Sequence, residues 1–166
     1  MPHVLLIDDD ASLLKALRST LEQAAPAVTV DMASTVEQAL QVIQHVEHDA
    51  IISDFCMPGL NGIDFLIKCK AVRADIPIIL LTGSGSCELE KEALKEGAYA
   101  VFQKPVNGGA LMSAVTSAVI RREVRRAARA EGNSFSATGQ RLSSRLKEID
   151  ERLKKQIDGS EKGTES

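Results

Sequence analysis

Short apolar runs rich in β-branched side chains recur through the first 105 residues of the chain. Runs of this length and composition are typical of buried strands. The five runs are Val4–Ile7, Val28–Val30, Ala50–Ile52, Ile76–Leu81 and Ala98–Phe102. The pattern therefore predicts five strands in this part of the chain.

Longer segments with helical spacing of apolar residues separate and follow these runs. The positions that mark the five stripes are Leu13, Leu14, Leu17 and Leu21; Val36, Ala39, Leu40 and Ile43; Ile63, Leu66, Ile67 and Lys70; Leu89, Ala93 and Leu94; and Leu111, Ala114, Val115 and Ala118. Regular alternation of strands and helices predicts a parallel sheet that is covered by helices on both faces. We expect a five-stranded α/β sandwich over residues 2–120.

Residues 121–166 follow a different pattern. The fifth helix is predicted to continue past Ile120 through the Arg-rich stretch to Arg129, and residues 132–139 predict a break or flexible linker. A last helix has apolar residues at coiled-coil-like spacing: Leu142, Leu146, Ile149, Leu153 and Ile157. We therefore divide the chain into a globular domain, residues 1–120, and a basic helical tail, residues 121–166, whose polar end is expected to be disordered.

Charge differs between these two parts. Residues 1–120 contain 8 Lys and Arg against 15 Asp and Glu, whereas residues 121–166 contain 12 against 8. The basic residues that recur along one predicted helix face are Arg121, Arg122, Arg125, Arg126 and Arg129. This stripe is typical of a solvated or partner-binding face. Nucleic acid is the less favoured partner, since the tail has no helix-turn-helix of usual length and no aromatic–basic module.

Composition excludes several classes of protein. The hydrophobic fraction of 44% is ordinary for a globular chain, and no stretch approaches the roughly 18 apolar residues that span a bilayer. The cysteines and histidines are Cys56, Cys69, Cys87, His3, His45 and His48. The cysteines form no CxxC pair, which argues against a disulfide framework and suits a reducing compartment. The histidines are expected at the surface without companion metal ligands, and the chain is expected to be cytoplasmic.

Polar side chains stand directly after four of the five predicted strands. Asp8 and Asp9 follow the first strand, Asp54 the third, Thr82 the fourth and Lys104 the fifth. In an open parallel sheet, ligands bind beyond the carboxyl ends of the strands, where the strand order reverses. We therefore expect these five side chains to converge on one pocket.

The chemistry of such a pocket favours phosphoryl transfer. Neighbouring carboxylates repel one another and recruit a proton or a cation, and an oxygen-only site with room for water and phosphate suits Mg²⁺. Lys104 adds a fixed positive charge, while Thr82 and Gly83 add a hydroxyl and an accessible N–H, groups that together can hold a phosphoryl group. The nucleophile is expected to be a carboxylate, because no Ser, Cys or His with a partner base lies at the strand ends. Asp54 is the best candidate, because it stands alone on its strand with the metal-binding pair opposite.

These residues resemble the receiver domain of bacterial two-component response regulators. The resemblance covers about residues 1–120. The matching motifs are Ile7-Asp8-Asp9-Asp10, Ser53-Asp54-Phe55-Cys56-Met57-Pro58-Gly59-Leu60-Asn61-Gly62, Leu81-Thr82-Gly83, and Gly97-Ala98 with Lys104-Pro105. The resemblance implies a flavodoxin-like (βα)5 sandwich of three layers with strand order 2-1-3-4-5, followed here by a C-terminal helical extension.

The resemblance also implies a phosphoacceptor and a metal site. Asp54 would accept a phosphoryl group from the phosphohistidine of a histidine kinase or phosphotransfer protein. Asp9 and Asp54 would bind Mg²⁺ directly, together with the backbone carbonyl of Cys56. Asp8 would contribute mainly through water.

The switch residues follow from the same resemblance, with one departure. Lys104 would pair with the phosphoryl oxygens, and Thr82, next to Gly83, would move to hydrogen-bond them. Pro105 follows the lysine where the family usually has a cis peptide bond. The family usually has Phe or Tyr three residues before the lysine, and this chain has Val101. The usual aromatic readout is therefore absent or altered.

The sequence thus predicts a phosphorylation-dependent signalling switch that is not an enzyme in its own right. Its output would be protein–protein interaction, with a homodimer through the fourth-to-fifth helix face or the tail, or onward transfer in a phosphorelay. A static pseudoreceiver scaffold and a regulator whose basic tail contacts nucleic acid are the alternatives. A phosphatase is disfavoured because Cys56 stands where a second Asp is needed, and an FMN site is disfavoured because Asp8, Asp9 and Asp10 would repel its phosphate.

Overall fold

The computed structural model describes residues 1–83, 85, 87–130, 143–149 and 151. The strands within these residues are β1 (His3–Ile7), β2 (Thr29–Ala33), β3 (Ala50–Asp54), β4 (Cys56–Met57), β5 (Leu60–Asn61), β6 (Ile78–Thr82) and β7 (Ala100–Gln103). The helices are α1 (Ala11–Ala24), α2 (Val36–His45), α3 (Gly62–Val72), α4 (Cys87–Lys95) and α5 (Gly108–Ala130). None of these helices is long and apolar enough to cross a membrane.

Five of the strands form one parallel sheet in the order β2-β1-β3-β6-β7. The chain starts at β1, moves outward to β2 and returns to the other side of β1 as β3, so the strand order reverses between β1 and β3. The register pairs Ile7 with both Ala33 and Ser53, and Asp54 with Leu81. The predicted five-stranded, flavodoxin-like fold is confirmed, and its reversal point lies where Asp8 and Asp54 leave the sheet.

β2 is longer than its predicted apolar run. The run ends at Val30, but the strand continues through Asp31 and Met32 to Ala33. β2 lies at the edge of the sheet, where a side chain can reach solvent, and Met32 is 40% exposed. An edge strand tolerates polar residues that a central strand does not, so hydrophobicity alone underestimates its length.

Alternation along the strands divides the core between the two faces of the sheet. Leu5, Ile51 and Leu80 belong to one buried cluster together with residues of α2, α3 and α4. Their neighbours along the strands point to the other face; among them, Leu81 shares a cavity wall with Leu17 of α1. The nearly complete burial of the central strands accounts for their continuous apolar runs.

Side-chain caps fix where the first three helices begin. Asp10 accepts hydrogen bonds from the backbone N–H groups of Ser12 and Leu13 at the start of α1. Thr35 caps α2, and Asn61 caps α3 by accepting from the N–H of Asp64. Each cap satisfies donors that the first helical turn leaves without a partner. The caps of α1 and α3 also fix two of the loops that border the carboxyl edge of the sheet.

The chain divides into two compact units, residues 1–108 and 109–166. α5 continues beyond residue 120 to Ala130, as predicted. Arg122 is only 2% exposed, so the expectation that the arginine stripe forms a solvated or partner-binding face is wrong at this position. The boundary at residue 120 stays a prediction.

Part of the tail can be compared with its prediction. Leu146 and Ile149 lie in a helical stretch, residues 143–149. The expected linker at residues 132–139, the polar end, and the apolar positions Leu142, Leu153 and Ile157 lie outside the described residues.

Candidate functional site

The predicted pocket residues lie together at the carboxyl edge of the sheet. Asp54 is the last residue of β3 and Thr82 the last of β6, and both are buried, with 6% and 7% exposure. Asp8 follows β1 and is 2% exposed, whereas Asp9 beside it is exposed. Lys104 follows β7 directly. Strand ends that are distant in sequence thus bring four charged groups and a hydroxyl to one edge.

Lys104 bridges two of the carboxylates. Its Nζ lies 2.8 Å from Oδ1 of Asp54 and 3.1 Å from Oδ2 of Asp8. The backbone holds the lysine in place, since its N–H donates to the Thr82 carbonyl at 2.7 Å. The peptide bond between Lys104 and Pro105 is cis. The remaining oxygen of the Asp8 carboxylate, Oδ1, accepts the backbone N–H of Asp10 at 2.8 Å.

The electrostatics of the pocket favour a bound cation. Burial raises the pKa of Asp8, and the nearby charge of Asp54 adds to this rise, while the Asp10 N–H and Lys104 oppose it. Burial alone would lower the pKa of Lys104, but its hydrogen bonds to Asp54 and Asp8 outweigh burial and raise it. Lys104 is therefore kept in its charged form. Asp8 beside it lies in an environment that disfavours its negative charge.

The donor set fits a hard divalent ion. Carboxylate oxygens of Asp8, Asp9 and Asp54 all lie within 4.8 Å of one another. Carboxylates of this number and spacing suit Mg²⁺, which keeps part of its water shell. Cys56, whose backbone carbonyl is expected to bind the ion together with Asp9 and Asp54, begins β4 two residues after Asp54. The resemblance to receiver domains implies Mg²⁺ at an acidic pocket, and these three carboxylates form such a pocket.

The expected switch residues lie on, or directly after, the strands that end at this pocket. Gly83 follows Thr82 at the surface, and a Cβ atom added to it would meet nothing within 4 Å, so the rim of the pocket is open there. Val101 lies in β7 opposite Leu80 of β6. Its side chain is half-buried and packs against the core cluster of α2, α3 and α4. An aliphatic side chain therefore occupies the position where the family usually has a ring.

The loop after Asp54 is folded tightly by a short hairpin of β4 and β5, which the apolar pattern does not predict. The Phe55 N–H donates to the Leu81 carbonyl at 2.7 Å, and the Gly62 N–H donates to the Phe55 carbonyl at 2.6 Å. Gly59, in the turn between β4 and β5, has φ +86°, a conformation that favours glycine. The Pro58-Gly59 pair is the sequence signal for this turn.

The expectation that all histidines lie at the surface without companion ligands is wrong. His48 is completely buried, and its Nε2 lies 3.0 Å from Oδ2 of Asp31. His3 Nε2 lies 2.9 Å from the same oxygen, whereas His45 is exposed as expected. The prediction failed because it placed Asp31 outside any strand, so that nothing in the sequence pattern brought it near either histidine.

Comparison with known proteins identifies the family. The family model described as response regulator receiver domain matches residues 4–116. The transcriptional regulatory protein FixJ of Bradyrhizobium diazoefficiens is 31% identical over 91% of this chain and 73% of FixJ. The C4-dicarboxylate transport transcriptional regulatory protein DctD of Rhizobium meliloti is 34% identical over 89% of this chain but only 34% of DctD.

Solved structures agree with this match. A response regulator receiver domain protein from Clostridium thermocellum is 30% identical, with a TM-score of 0.70 over 75% of this chain and 98% of that one. The receiver domain dimer of beryllofluoride-activated NtrC4 is 29% identical, with a TM-score of 0.69 over 74% and 99% of the two chains. The family model and these structural matches assign a signalling rather than a catalytic role. The chain belongs to the response regulator receiver domain family of two-component signalling.

Proposed function

We propose that this chain accepts a phosphoryl group on Asp54, in a Mg²⁺-dependent reaction, from the phosphohistidine of a histidine kinase or phosphotransfer protein. The observation that carries the proposal is the convergence of Lys104 with three carboxylates at the strand-order reversal. A lysine and a metal site beside one carboxylate supply the positive charge that a transferring phosphoryl group requires.

Asp54 is the proposed nucleophile because of its position among the three carboxylates. It ends the central strand β3, is 6% exposed, and has Oδ1 in direct contact with the lysine. Asp8 already accepts hydrogen bonds on both of its oxygens, and Asp9 is exposed. In the reaction, the P–N bond to histidine breaks, its electron pair stays on the imidazole, which is protonated, and a P–O bond forms to Asp54.

Each of the remaining pocket residues has a role in this proposal. Asp8, Asp9 and Asp54, with the Cys56 carbonyl, would hold Mg²⁺, which would neutralise charge on the transferring group. Lys104 would turn from the carboxylates to the phosphoryl oxygens. Thr82 would donate its hydroxyl to them, and the Gly83 N–H is accessible for a further hydrogen bond.

The output of the switch is proposed to differ from the usual aromatic readout. Val101 has no ring to turn inward when Thr82 moves, and it packs against the core cluster instead. A change at Thr82 would therefore reach the surface through the backbone of β6 and the start of α4. The homodimer expected through the fourth-to-fifth helix face or the tail, the protein partner of the tail and the cytoplasmic location stay predictions.

Intact-protein mass spectrometry tests the phosphoacceptor. The wild-type chain, Asp54→Asn and the control Asp64→Asn are incubated with a small-molecule phosphodonor, with Mg²⁺ or with EDTA. Asp64 is an exposed carboxylate in the first turn of α3. We expect one added phosphoryl group in the wild type and the control, only with Mg²⁺, and none in Asp54→Asn. Absence of any gain would support a static scaffold, and a gain in Asp54→Asn would place the acceptor elsewhere.

A gel shift with duplex DNA at two salt concentrations tests the alternative in which the basic tail contacts nucleic acid. Phosphate contacts made by Arg and Lys weaken steeply as salt rises. We expect no shift at either concentration, with or without the phosphodonor. A salt-sensitive shift would replace protein binding with nucleic acid binding as the role of the tail.

A further inference from the structure

Three residues from separate segments meet near the amino ends of the central strands. His3 begins β1, Asp31 lies in the edge strand β2, and His48 precedes β3. β1 and β2 pair in parallel, with His3 opposite Thr29 and Leu5 opposite Asp31. His3 and Asp31 therefore point to the same face of the sheet. We refer to His3, Asp31 and His48 as the His–Asp–His cluster.

The two imidazole rings converge on one carboxylate oxygen. Nε2 of His3 and Nε2 of His48 lie 2.9 Å and 3.0 Å from Oδ2 of Asp31. The ring centroids are 4.4 Å apart. The backbone also holds the two segments together, because the His3 N–H donates to the Asp49 carboxylate and the Asp49 N–H donates to the His3 carbonyl. The segments that carry His3 and His48 are thus held together by the fold itself.

Hydrogen bonding within the described residues does not satisfy every ring nitrogen of the cluster. His48 Nε2 is hydrogen-bonded to Asp31. The buried Nε2 of His3 lies 2.9 Å from the same oxygen but makes no well-aligned hydrogen bond among the described atoms. A buried polar atom without a partner costs free energy. The Nε2 of His3 points into the cluster, toward Asp31 Oδ2, as a metal ligand would.

We propose that the His–Asp–His cluster binds a divalent transition-metal ion of the Zn²⁺ class. Two imidazole nitrogens and one carboxylate oxygen are a ligand set that suits such ions, and a fourth position stays open to water. The three ligand atoms lie within 4.8 Å of one another. Tetrahedral zinc, with bonds to nitrogen and oxygen of about 2.0–2.2 Å, separates its ligand atoms by about 3.4 Å. The two nitrogen-to-oxygen separations of 2.9 Å and 3.0 Å would therefore lengthen by a few tenths of an ångström as Asp31 shifts. Its side chain is 40% exposed and has room for this.

The cluster is separate from the acidic pocket. His3 and Asp8 lie at opposite ends of β1, roughly 16 Å apart along an extended strand. The acidic pocket offers oxygen ligands and suits Mg²⁺, whereas nitrogen ligands select transition metals. An ion in the cluster would join the start of β1, the edge strand β2 and the segment before β3. Its effect would be to stabilise the amino edge of the sheet without a role in phosphoryl transfer.

Zinc titration of the full chain tests the proposal. The reference chain carries Asp54→Asn, Cys56→Ser and Cys87→Ser, which weakens the acidic pocket and removes both exposed thiols, and Mg²⁺ is kept in excess. ZnCl₂ binding is measured by calorimetry, and Co²⁺ absorption reports the geometry and ligand type. His3→Gln and Asp31→Asn are added in turn, because these side chains are partly exposed, whereas replacing the buried His48 risks misfolding. His45→Gln removes an exposed histidine as the matched control.

We expect one Zn²⁺ ion per reference chain and Co²⁺ bands of a low-coordinate site with nitrogen and oxygen ligands. His3→Gln and Asp31→Asn should each weaken binding by about tenfold or more, since even indirect supports of a metal site contribute that much. His45→Gln should leave binding unchanged, and circular dichroism should show all variants folded. Equal binding by His3→Gln and His45→Gln, or no saturable binding by the reference chain, would overturn the proposal. Because the reference chain lacks Asp54, neither result depends on the phosphoacceptor assignment.

Discussion

Lys104 and Asp54 form an ion pair of 2.8 Å, and the same ammonium group lies 3.1 Å from Asp8, on the other side of the strand-order reversal. The lysine side chain is 26% exposed, whereas the two carboxylates are almost fully buried. One cation is thus shared between two buried carboxylates in this structure. A phosphoryl group or a metal ion bound in this pocket would change the position of the lysine between the two carboxylates.

Lys104→Met should destabilise the fold most when no metal ion is present. Loss of the ammonium leaves the Asp8 and Asp54 carboxylates facing each other, which should lower the free energy of unfolding by about 1–2 kcal/mol. Urea denaturation in EDTA measures this loss, with the exposed Lys68→Met as the control. Excess Mg²⁺ should restore part of the stability. Equal stability of the two variants in EDTA would contradict this account of the pocket.

The stabilisation from Lys104 should also depend on pH. Its contacts with the carboxylates raise its pKa above the usual 10.5. A raised pKa of a basic group means that its contribution is fully present below pH 10.5 and is lost as the pH rises through the higher value of the folded state. The stability difference between wild type and Lys104→Met should therefore be constant near neutral pH and shrink in strong alkali. Urea denaturation across this pH range measures the stability difference. A difference that disappears below pH 10 would contradict a raised pKa of Lys104.

Asp10→Ala should destabilise α1 with little direct effect on the pocket. The Asp10 side chain accepts from the N–H groups of Ser12 and Leu13, and its loss should cost about 1 kcal/mol. The hydrogen bond to Asp8 comes from the backbone N–H of residue 10 and survives the substitution. Chemical denaturation of this variant and of Ser12→Ala gives the comparison. A smaller loss in Asp10→Ala than in Ser12→Ala would show that the cap is not important.

Gly62→Ala should disturb the loop that follows the phosphoacceptor. A Cβ at this position would lie 2.9 Å from Cα and 3.2 Å from the carbonyl oxygen of Phe55, both backbone atoms that cannot move alone. Overpacking of this kind costs about 1–3 kcal/mol. Gly83→Ala is the matched control for stability, because a Cβ there meets no atom within 4 Å. Thermal unfolding of both variants decides the point, and similar midpoints would show that the loop relaxes freely.

The three thiols should differ in reactivity. Burial raises the pKa of Cys69 to about 12, so that its thiolate form is rare at neutral pH. Cys56 and Cys87 are exposed. A chromogenic disulfide reagent should therefore titrate two thiols in the native chain and three in denaturant. A Cys69→Ser variant should still titrate two thiols in the native chain, and two rather than three in denaturant. Fewer than two in the native variant would show that Cys69 is accessible.

Much of the fold could be predicted because its signals are local. Buried strands such as β3 and β6 have continuous apolar runs, and the helices have clear stripes. The polar residues at the strand ends, from Asp8 to Lys104, followed from the general rule that parallel strands bring their carboxyl ends to one edge. The positions of the expected site residues depend only on strand direction and strand order, and for this reason they could be predicted to lie together.

Other features depend on structure that local patterns do not encode. The edge strand β2 continues through Asp31 because an edge position relaxes the need for apolar residues, and the burial of Arg122 is not signalled by the basic stripe around it. The β4–β5 hairpin is too short for any periodicity to show. In each case the environment of the residue, and not its neighbours in sequence, determines the outcome.

The sequence by itself determined the element types, the parallel sheet and the set of polar groups at its carboxyl edge, since hydrophobic periodicity and strand direction are properties of the chain. The tertiary structure decided which of those groups touch, as in the bridge from Lys104 to Asp8 and Asp54. It alone showed that His3 and His48 converge on Asp31. The physical reason is that such contacts require strand register and loop packing, which bring together residues that no local spacing relates.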